Sequence, residues 1–363
     1  MTNTMRKAVW TGLASIGAIA LLAGCGQAPT TTPSAGATDA PAASDFKACI
    51  VSDAGGFDDK SFNQSSFEGL QDAAKALGLK TAKAESDGEN TFGPNVQSMV
   101  DQNCNIITTV GYLLADATEE AAKANPETNF LILDYADIDA ENVKPVVYDT
   151  AQAAFLAGYA AADYSKTGVV GTYGGMKLPT VTIFMDGFVE GVKHYNEVKG
   201  KDVKVLGWDV DKQDGSFTNG FDANDVAKQA ATSLLEQDVD VLMPVGGPIF
   251  ISAIAAIEDS KKDVALIGVD ADVFLTADRG NELFLTSVMK QMRSGTEQIV
   301  TEASKGEFDN SPYIGTLENE GVGLAPFHDF ESKISATLQA ELDEVTKGII
   351  DGSITAVSPA SPK

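Results

Sequence analysis

Hydrophobic and polar positions alternate along the chain with two different periods. Short runs rich in Val, Ile and Leu, such as "ACIVSD" and "NIITTVGY", predict buried strands, and apolar residues at helical spacing follow each run. In the first part of the chain the predicted strands lie at 48–53, 79–86, 105–112, 129–136 and 143–150, and the predicted helices at 66–77, 94–102 and 115–124. Buried strands that alternate with amphipathic helices are typical of a parallel sheet covered on both faces.

The alternation of predicted strands and helices begins again after Thr150. The predicted helices of this second part lie at 151–164, 180–195, 224–236, 250–260, 291–305 and 332–348, and the strands at 168–175, 203–209, 239–247, 264–272 and 283–290. Two successive doubly wound units without a Gly-x-Gly-x-x-Gly turn favour a two-lobed α/β binding protein over a dinucleotide enzyme.

We expect the chain to cross between the two lobes three times. The expected crossings lie near Thr150, within 272–285 and within 315–324. The predicted lobes are therefore an N-terminal lobe of residues 46–150 and 273–320 and a C-terminal lobe of residues 151–272 and 321–355.

The N-terminal segment predicts export and lipid attachment. Arg6 and Lys7 precede an apolar run that is shorter than the roughly 20 residues a membrane-spanning helix needs, so residues 1–24 are predicted to be a signal peptide. The run ends in "LAGC", which resembles the bacterial lipobox and makes Cys25 the predicted lipidated residue. Residues 25–45 have no aromatic and no long aliphatic side chain, and their Pro, Ala, Thr and Ser predict a flexible tether.

Charge and cysteine content narrow the class of protein further. The chain has 52 acidic and 26 basic residues and a formal net charge of −26, which excludes a nucleic-acid binder because phosphates would be repelled. With Cys25 lipidated, only Cys49 and Cys104 remain, each at a predicted strand. In an oxidising compartment the two are expected to form a disulfide, and the alternative is a pair of buried thiols.

The stretch "SDAGGFDDKSFNQSSFEGL" at 52–70 could be a phosphate cradle, a calcium site or a lid over a neutral ligand. It lacks the Gly-Lys-Ser/Thr ending of a phosphate loop, and its acids do not have EF-hand spacing. The chain has only two histidines, His194 and His328, so the sequence disfavours a His-based triad or a zinc site. We therefore predict no catalytic site, no metal and no cofactor.

Several segments occur in the order found in the basic membrane lipoprotein family, and the chain resembles that family from about Lys47 to Gly348. They are "SDAGGFDDKSFNQSSFEGL", "GYLLADAT", "AAFLAGYAA", "DVLMPVGG", "IGVDAD" and "LTSVMK". The resemblance implies a type I periplasmic-binding-protein fold, with the ligand held between two doubly wound lobes joined by a three-segment hinge. The best-understood members are similar to purine nucleoside receptors that feed an ABC importer.

Positions at strand ends supply the first candidate ligand-binding residues. Asp53 and Asp116 each follow a predicted strand, where open parallel sheets place their ligand crevice, although each could instead cap the next helix. Gly247 ends another strand and would let the backbone approach a ribose closely. A carboxylate at such a place can accept hydrogen bonds from a base edge.

The family resemblance supplies the remaining candidates. It implies that Phe62 stacks on the base with Asn63 beside it, and that Phe221 is the second stacking ring, with Phe217 and Phe188 as alternatives. It also implies that an acid and a lysine bind the sugar. These are Asp270, with Asp272 as its alternate, and Lys290.

The sequence thus predicts a lipid-anchored substrate-binding protein of an ABC importer at the extracytoplasmic face of the cell membrane. The predicted ligand is a purine nucleoside, and the alternative is a sugar or a sugar-like signal. The predicted partners are the ABC permease and ATPase subunits and the membrane that holds the lipid. We expect a monomer that binds no nucleic acid.

Overall fold

The computed structural model describes residues 45–363, which contain two six-stranded sheets. The first sheet has the order β13-β5-β4-β3-β1-β2. Its strands are β1 (Lys47–Ser52), β2 (Lys80–Ala84), β3 (Ile106–Val110), β4 (Asn129–Leu133), β5 (Val143–Tyr148) and β13 (Tyr313–Gly315). All neighbours in this sheet are parallel. The central strands β1, β3 and β4 are buried almost throughout, as the unbroken apolar runs predict.

The second sheet has the order β14-β12-β11-β10-β6-β7 and forms the second lobe. Its strands are β6 (Val169–Gly174), β7 (Lys204–Leu206), β10 (Val241–Val245), β11 (Ala265–Asp270), β12 (Phe284–Lys290) and β14 (Val322–Leu324). Only β14 runs antiparallel to its neighbour. A separate antiparallel pair consists of β8 (Trp208–Asp209) and β9 (Asp214–Gly215).

Ten α-helices in residues 45–363 cover the faces of the two sheets. Those of the first lobe are α1 (Phe62–Leu77), α2 (Glu89–Asp101), α3 (Ala115–Ala124) and α9 (Met292–Ser304). Those of the second lobe are α4 (Thr150–Tyr164), α5 (Pro179–Lys199), α6 (Asp225–Leu235), α7 (Ile249–Ser260), α8 (Val273–Thr276) and α10 (Leu338–Ile350). Helices α4 and α5 approach closely, because a Cβ on Gly158 would lie only 2.0 Å from the carbonyl oxygen of Phe188.

The crossings between the lobes follow Tyr148, follow Lys290 and lie between Gly315 and Val322. The middle crossing differs from the expected one within 272–285. Strand β12 pairs with β11 and β14, so residues 273–290 lie with the second lobe and not with the first. An apolar strand such as β12 fits either sheet by its sequence, and only the pairing decides the lobe.

Helix α2 begins five residues earlier than its predicted start at Pro94. In the structure α2 starts at Glu89 and Pro94 lies inside it. The helix therefore gives up the backbone hydrogen bond that the missing N–H of Pro94 would have made.

A disulfide joins Cys49 on β1 to Cys104, which lies just before β3. The Cα atoms are 5.9 Å apart, and both side chains are buried in the first lobe. The bond therefore ties together two neighbouring strands of one sheet.

The predicted signal peptide, the lipidation site Cys25 and nearly all of the predicted tether lie outside the described residues. Within 45–363, none of the helices combines the length and the apolar character needed to cross a bilayer.

Candidate functional site

The main cleft lies between the lobes, where the carboxyl ends of strands from both sheets face each other. The first lobe contributes residues that follow β1 and β4, and the second contributes the ends of β10, β11 and β12. This is where open parallel sheets place their ligands. Seven of the eight predicted ligand-binding residues line the cleft: Asp53, Phe62, Asn63, Phe221, Gly247, Asp270 and Lys290.

Aromatic rings reach the cleft from both lobes. Phe62 is the first residue of α1 and is half-buried, and Phe221 comes from the loop before α6. The ring of Phe221 packs on bare backbone, since a Cβ on Gly175 or Gly246 would lie 2.4 or 2.7 Å from it. The cleft therefore presents aromatic rings from both lobes.

The two alternatives to Phe221 lie elsewhere. Phe217 packs edge-on against Trp208, with ring centroids 5.9 Å apart. Phe188 is completely buried in the packing between α4 and α5. Neither of them lines the cleft, whereas Phe184 on α5 does, although it is not among the residues predicted from the sequence.

Asp59 caps the helix that carries Phe62. Its carboxylate accepts hydrogen bonds from the backbone N–H groups of Ser61, Asn63 and Gln64 at 2.8 to 3.0 Å. A carboxylate at a helix N-terminus satisfies unpaired N–H groups and complements the helix dipole. Asp59, in the glycine-rich loop between β1 and α1, thus fixes the start of α1, and with it the position of Phe62.

Asp53 and Asn63 form a buried pair at the end of β1. Asn63 Nδ2 donates to Asp53 Oδ1 at 3.0 Å and to Asp59 Oδ2 at 3.1 Å. Burial, and to a lesser extent the nearby carboxylates of Asp59, Asp134 and Asp270, raise the pKa of Asp53 to about 8, against the lowering effect of the Asn63 hydrogen bond. Near neutral pH the carboxyl group of Asp53 therefore carries a proton in most molecules and can donate a hydrogen bond.

Lys290 binds two carboxylates that come from different lobes. Its Nζ lies 2.7 Å from Asp134 Oδ2 and 3.4 Å from Asp270 Oδ1. Burial raises the pKa of Asp270 to about 6, while Lys290 acts in the opposite direction. Burial disfavours the charge on Lys290, but the two carboxylates outweigh it and raise the pKa of the lysine. The ammonium group also lies 5.1 Å from the ring centroid of Phe62 and 5.2 Å from that of Phe184.

Two buried acceptors in the cleft form no hydrogen bond within residues 45–363. They are Asn63 Oδ1 and Asp270 Oδ1, the latter reached only by the longer contact with Lys290. A buried acceptor without a donor costs about 1 to 3 kcal/mol. A ligand that donates hydrogen bonds to both would recover this free energy.

Asp116 is the predicted site residue that the structure places elsewhere. It is exposed on the first turn of α3 and does not line the cleft. A short turn at Tyr112–Leu114 separates it from β3, and the residue at the strand end is Gly111. A Cβ on Gly111 would lie 2.1 Å from Asp53 Oδ2, so the carboxyl group of Asp53 occupies the space that a side chain there would need.

Asp134 lines the cleft, where the sequence had predicted Asp116. It follows β4 directly and is 8% exposed. Asp134 and Asp270 both have left-handed backbone conformations, with φ of 65° and 70°. The signal that identified Asp53, an acid directly after a buried strand, also applies to Asp134 in "NFLILDYA".

Asp272, the alternate to Asp270, does not line the cleft and contacts His328 instead. Its Oδ2 lies 2.8 Å from Nε2 of His328, whose ring stacks on Phe274 with centroids 4.0 Å apart. Among the described residues, 45–363, no group of His, Cys, Asp and Glu has the arrangement of a metal site.

The fold is that of the solute-binding proteins of ABC transporters. The solved structure of ABC transporter system solute-binding proteins from Aeropyrum pernix K1 superimposes with a TM-score of 0.77, covering 86% of this chain and 94% of that one at 22% identity.

The family model described as "ABC transporter substrate-binding protein PnrA-like" matches residues 46–357, and the chain belongs to this Bmp family. The ABC transporter nucleoside-binding protein BmpA of Lactococcus lactis is 31% identical over 361 residues, which cover 95% of this chain and 97% of that protein. The CD4+ T-cell-stimulating antigen of Listeria monocytogenes is 32% identical over 327 residues, with coverage of 85% and 87%. The family resemblance seen in the sequence is thereby confirmed, and this is a family of ABC transporter substrate-binding proteins.

Proposed function

We propose that the protein is a lipid-anchored receptor that binds a purine nucleoside between its lobes and delivers it to an ABC permease. The observation that carries the proposal is the pair of rings, Phe62 and Phe221, that reach one cleft from opposite lobes. Stacking of a base on an aromatic face contributes about 1 to 3 kcal/mol per ring. A flat base between two such rings would therefore bind both lobes and favour their closure.

The polar residues of the cleft can form hydrogen bonds with the edge of a base and with the hydroxyl groups of a ribose. Asn63 Oδ1 and Asp270 Oδ1 are buried acceptors that call for donors, and a base N–H and a ribose hydroxyl are such donors. The protonated carboxyl group of Asp53 can in turn donate to a ring nitrogen or a carbonyl oxygen of the base. Both roles agree with nucleoside binding, for which the Lactococcus lactis relative is named.

The charge of the cleft favours a nucleoside over a nucleotide. Four carboxyl groups, those of Asp53, Asp59, Asp134 and Asp270, line it together with one cationic side chain, Lys290. The ammonium group of Lys290 is already paired with two of these carboxylates. A phosphate would meet uncompensated negative charge, so the proposed ligand is neutral.

Membrane attachment and delivery are part of the same proposal. The "LAGC" sequence at Cys25 supports a lipid anchor, and a lipid-anchored receptor needs no membrane-spanning helix. Membership in a family of ABC transporter substrate-binding proteins supports a permease and an ATPase as partners.

Calorimetry of the soluble chain from Ser44 onward tests the ligand. We expect guanosine, adenosine or inosine to bind with micromolar or tighter affinity, uridine more weakly, and the 5′-monophosphates not at all. The 2′-deoxy forms should bind more weakly than the ribosides, because a missing hydroxyl leaves a buried acceptor unpaired. Binding of ribose, arabinose or galactose without any nucleoside would reject the nucleoside proposal and support the sugar alternative.

A further inference from the structure

Two hydroxyl groups that do not line the cleft form hydrogen bonds between the lobes. Ser61 Oγ, in the first lobe, donates to the carbonyl oxygen of Val269 on β11 at 2.8 Å. Thr276 Oγ1, at the end of α8 in the second lobe, donates to the carbonyl oxygen of Lys60 at 2.6 Å. The two bonds run in opposite directions across the cleft, so each lobe provides one donor and one acceptor.

We propose that Ser61 and Thr276 form a latch that holds the two lobes closed and aligns the two halves of the ligand site. The proposal goes beyond ligand recognition, because it concerns contacts between the lobes and not contacts with the ligand. It rests on the proposed function only in taking the cleft between the lobes as the ligand site.

The positions of the latch residues link closure to the ligand site. Ser61 immediately precedes Phe62, and Val269 immediately precedes Asp270, so one hydrogen bond sets the separation of two residues that line opposite walls of the cleft. Ser61 Oγ also lies 3.4 Å from Asp270 Oδ2. Ser61 is completely buried, so water cannot replace the hydrogen bond while the lobes are closed.

The backbone of the glycine-rich loop is shaped to present the acceptor at Lys60. Lys60 has a left-handed conformation with φ of 62°, which is uncommon for a residue other than glycine. Asp59 holds the next residue, because its Oδ1 accepts from the N–H of Ser61 at 3.0 Å. The loop is therefore held in a shape that points one carbonyl and one hydroxyl group at the opposite lobe.

Lys60 adds a weaker electrostatic contact between the lobes. Its Nζ lies 3.4 Å from Asp278 Oδ2, but the side chain of Asp278 is 81% exposed. Exposed ion pairs contribute little and are screened by salt. The hydroxyl groups of Ser61 and Thr276 are thus the members of the latch to test.

The latch makes a kinetic prediction that a direct ligand contact does not make. Both bonds join the two lobes, so separation of the lobes would break them. Their loss should therefore speed ligand release and leave the association rate nearly unchanged. It should also weaken every ligand by the same factor. Loss of a contact to a base or a sugar would instead change the ranking of ligands.

The experiment compares Ser61→Ala, Thr276→Val and the double variant with two matched controls. Ser66→Ala removes an equally buried hydroxyl from α1, the helix that follows Ser61, and this hydroxyl bonds only to the carbonyl of Phe62. Thr232→Val removes a half-buried hydroxyl of the second lobe that bonds within its own helix. Dissociation rates come from stopped-flow displacement of the nucleosides that bind, and compactness comes from small-angle X-ray scattering with and without each of them.

We expect each latch variant to raise the dissociation rate about two- to tenfold, by the same factor for every nucleoside, and to increase the radius of gyration of the free protein. The controls should match the wild type in both measurements. Unchanged release rates together with an unchanged radius of gyration in the double variant would overturn the latch. If the wild type binds no nucleoside, the proposed function fails, and the radius of gyration alone decides the latch in the same way.

Discussion

Lys290 Nζ lies 2.7 Å from Asp134 Oδ2, and this ion pair joins a strand end of one lobe to a strand end of the other. Both side chains are less than a tenth exposed. Removing one partner of a buried pair leaves an uncompensated charge, which costs about 3 to 5 kcal/mol. The pair therefore contributes to the closed arrangement of the lobes as well as to the ligand site.

Replacement of Lys290 tests this pair. Lys290→Met should lower the free energy of unfolding by about 3 kcal/mol and weaken nucleoside binding at least tenfold. Urea unfolding followed by tryptophan fluorescence and calorimetry provide the two measurements. Lys193→Met is the control, since Lys193 pairs with Glu190 at 2.9 Å on the surface, where such a pair is worth little. Equal stability of the two variants would contradict a structural role for Lys290.

Truncation of Phe62 tests the stacking surface. Phe62→Ala should weaken nucleoside binding by about 1 to 3 kcal/mol without unfolding the first lobe. Phe67→Ala is the matched control, because Phe67 lies on the same helix, is also half-buried, and packs against Phe57 with ring centroids 4.7 Å apart. Calorimetry gives the affinities, and circular dichroism checks the fold. Equal affinities of the two variants would remove Phe62 from the ligand site.

The raised pKa of Asp53 predicts a pH-dependent stability. The folded protein holds the proton up to a pKa of about 8, whereas the unfolded chain loses it near the ordinary aspartate pKa of 3.8. The contribution of Asp53 is therefore complete below pH 3.8 and is lost as the pH rises through about 8. The slope approaches about 1.4 kcal/mol per pH unit within this window.

Asp53→Asn isolates this effect, because the amide cannot ionise. Relative to the wild type, the variant should gain stability steadily between pH 4 and pH 8, as measured by urea unfolding at each pH. An Asp87→Asn control on an exposed loop should run parallel to the wild type. A constant difference between wild type and Asp53→Asn over this range would show that the carboxyl group titrates normally.

The disulfide predicts a stability that depends on oxidation. Cys49 and Cys104 are separated by 55 residues, and closing a loop of this length stabilises by roughly 4 kcal/mol in the chain-entropy model. The double Cys→Ser variant should therefore unfold at lower urea concentration and should no longer respond to reductant. The native protein should react slowly with reductant, because both sulfurs are buried. A variant as stable as the oxidised wild type would contradict the stabilising role.

Much of the architecture can be read from the sequence because each strand is a short apolar run. The ends of β1, β11 and β12 were predicted closely enough to place Asp53, Asp270 and Lys290 in the cleft. Which sheet a strand joins depends on long-range pairing that periodicity does not report. The assignment of β12 to the second lobe therefore required the structure.

The sequence does not predict every residue of the candidate site, because local turns and helix faces decide which side chains reach the cleft. Asp116 was selected because it follows a strand, but the turn after β3 moves it to the surface. Phe184 lies within a long apolar helix, where its sequence does not distinguish a cleft-facing ring from a core ring such as Phe188. The latch could not be predicted from the sequence either. The hydroxyl groups of Ser61 and Thr276 bond to backbone carbonyl groups, which every residue has.

The last crossing has a consequence for how the chain completes its fold. One segment, 313–324, supplies β13 at the edge of the first sheet and β14 at the edge of the second. Neither sheet has its full set of strands until this segment, near the end of the chain, has been synthesised. A nascent chain that ends before residue 313 would expose the edges of β5 and β12, which are sites for pairing with other chains. The two lobes should therefore reach protease resistance together and late, and not one after the other.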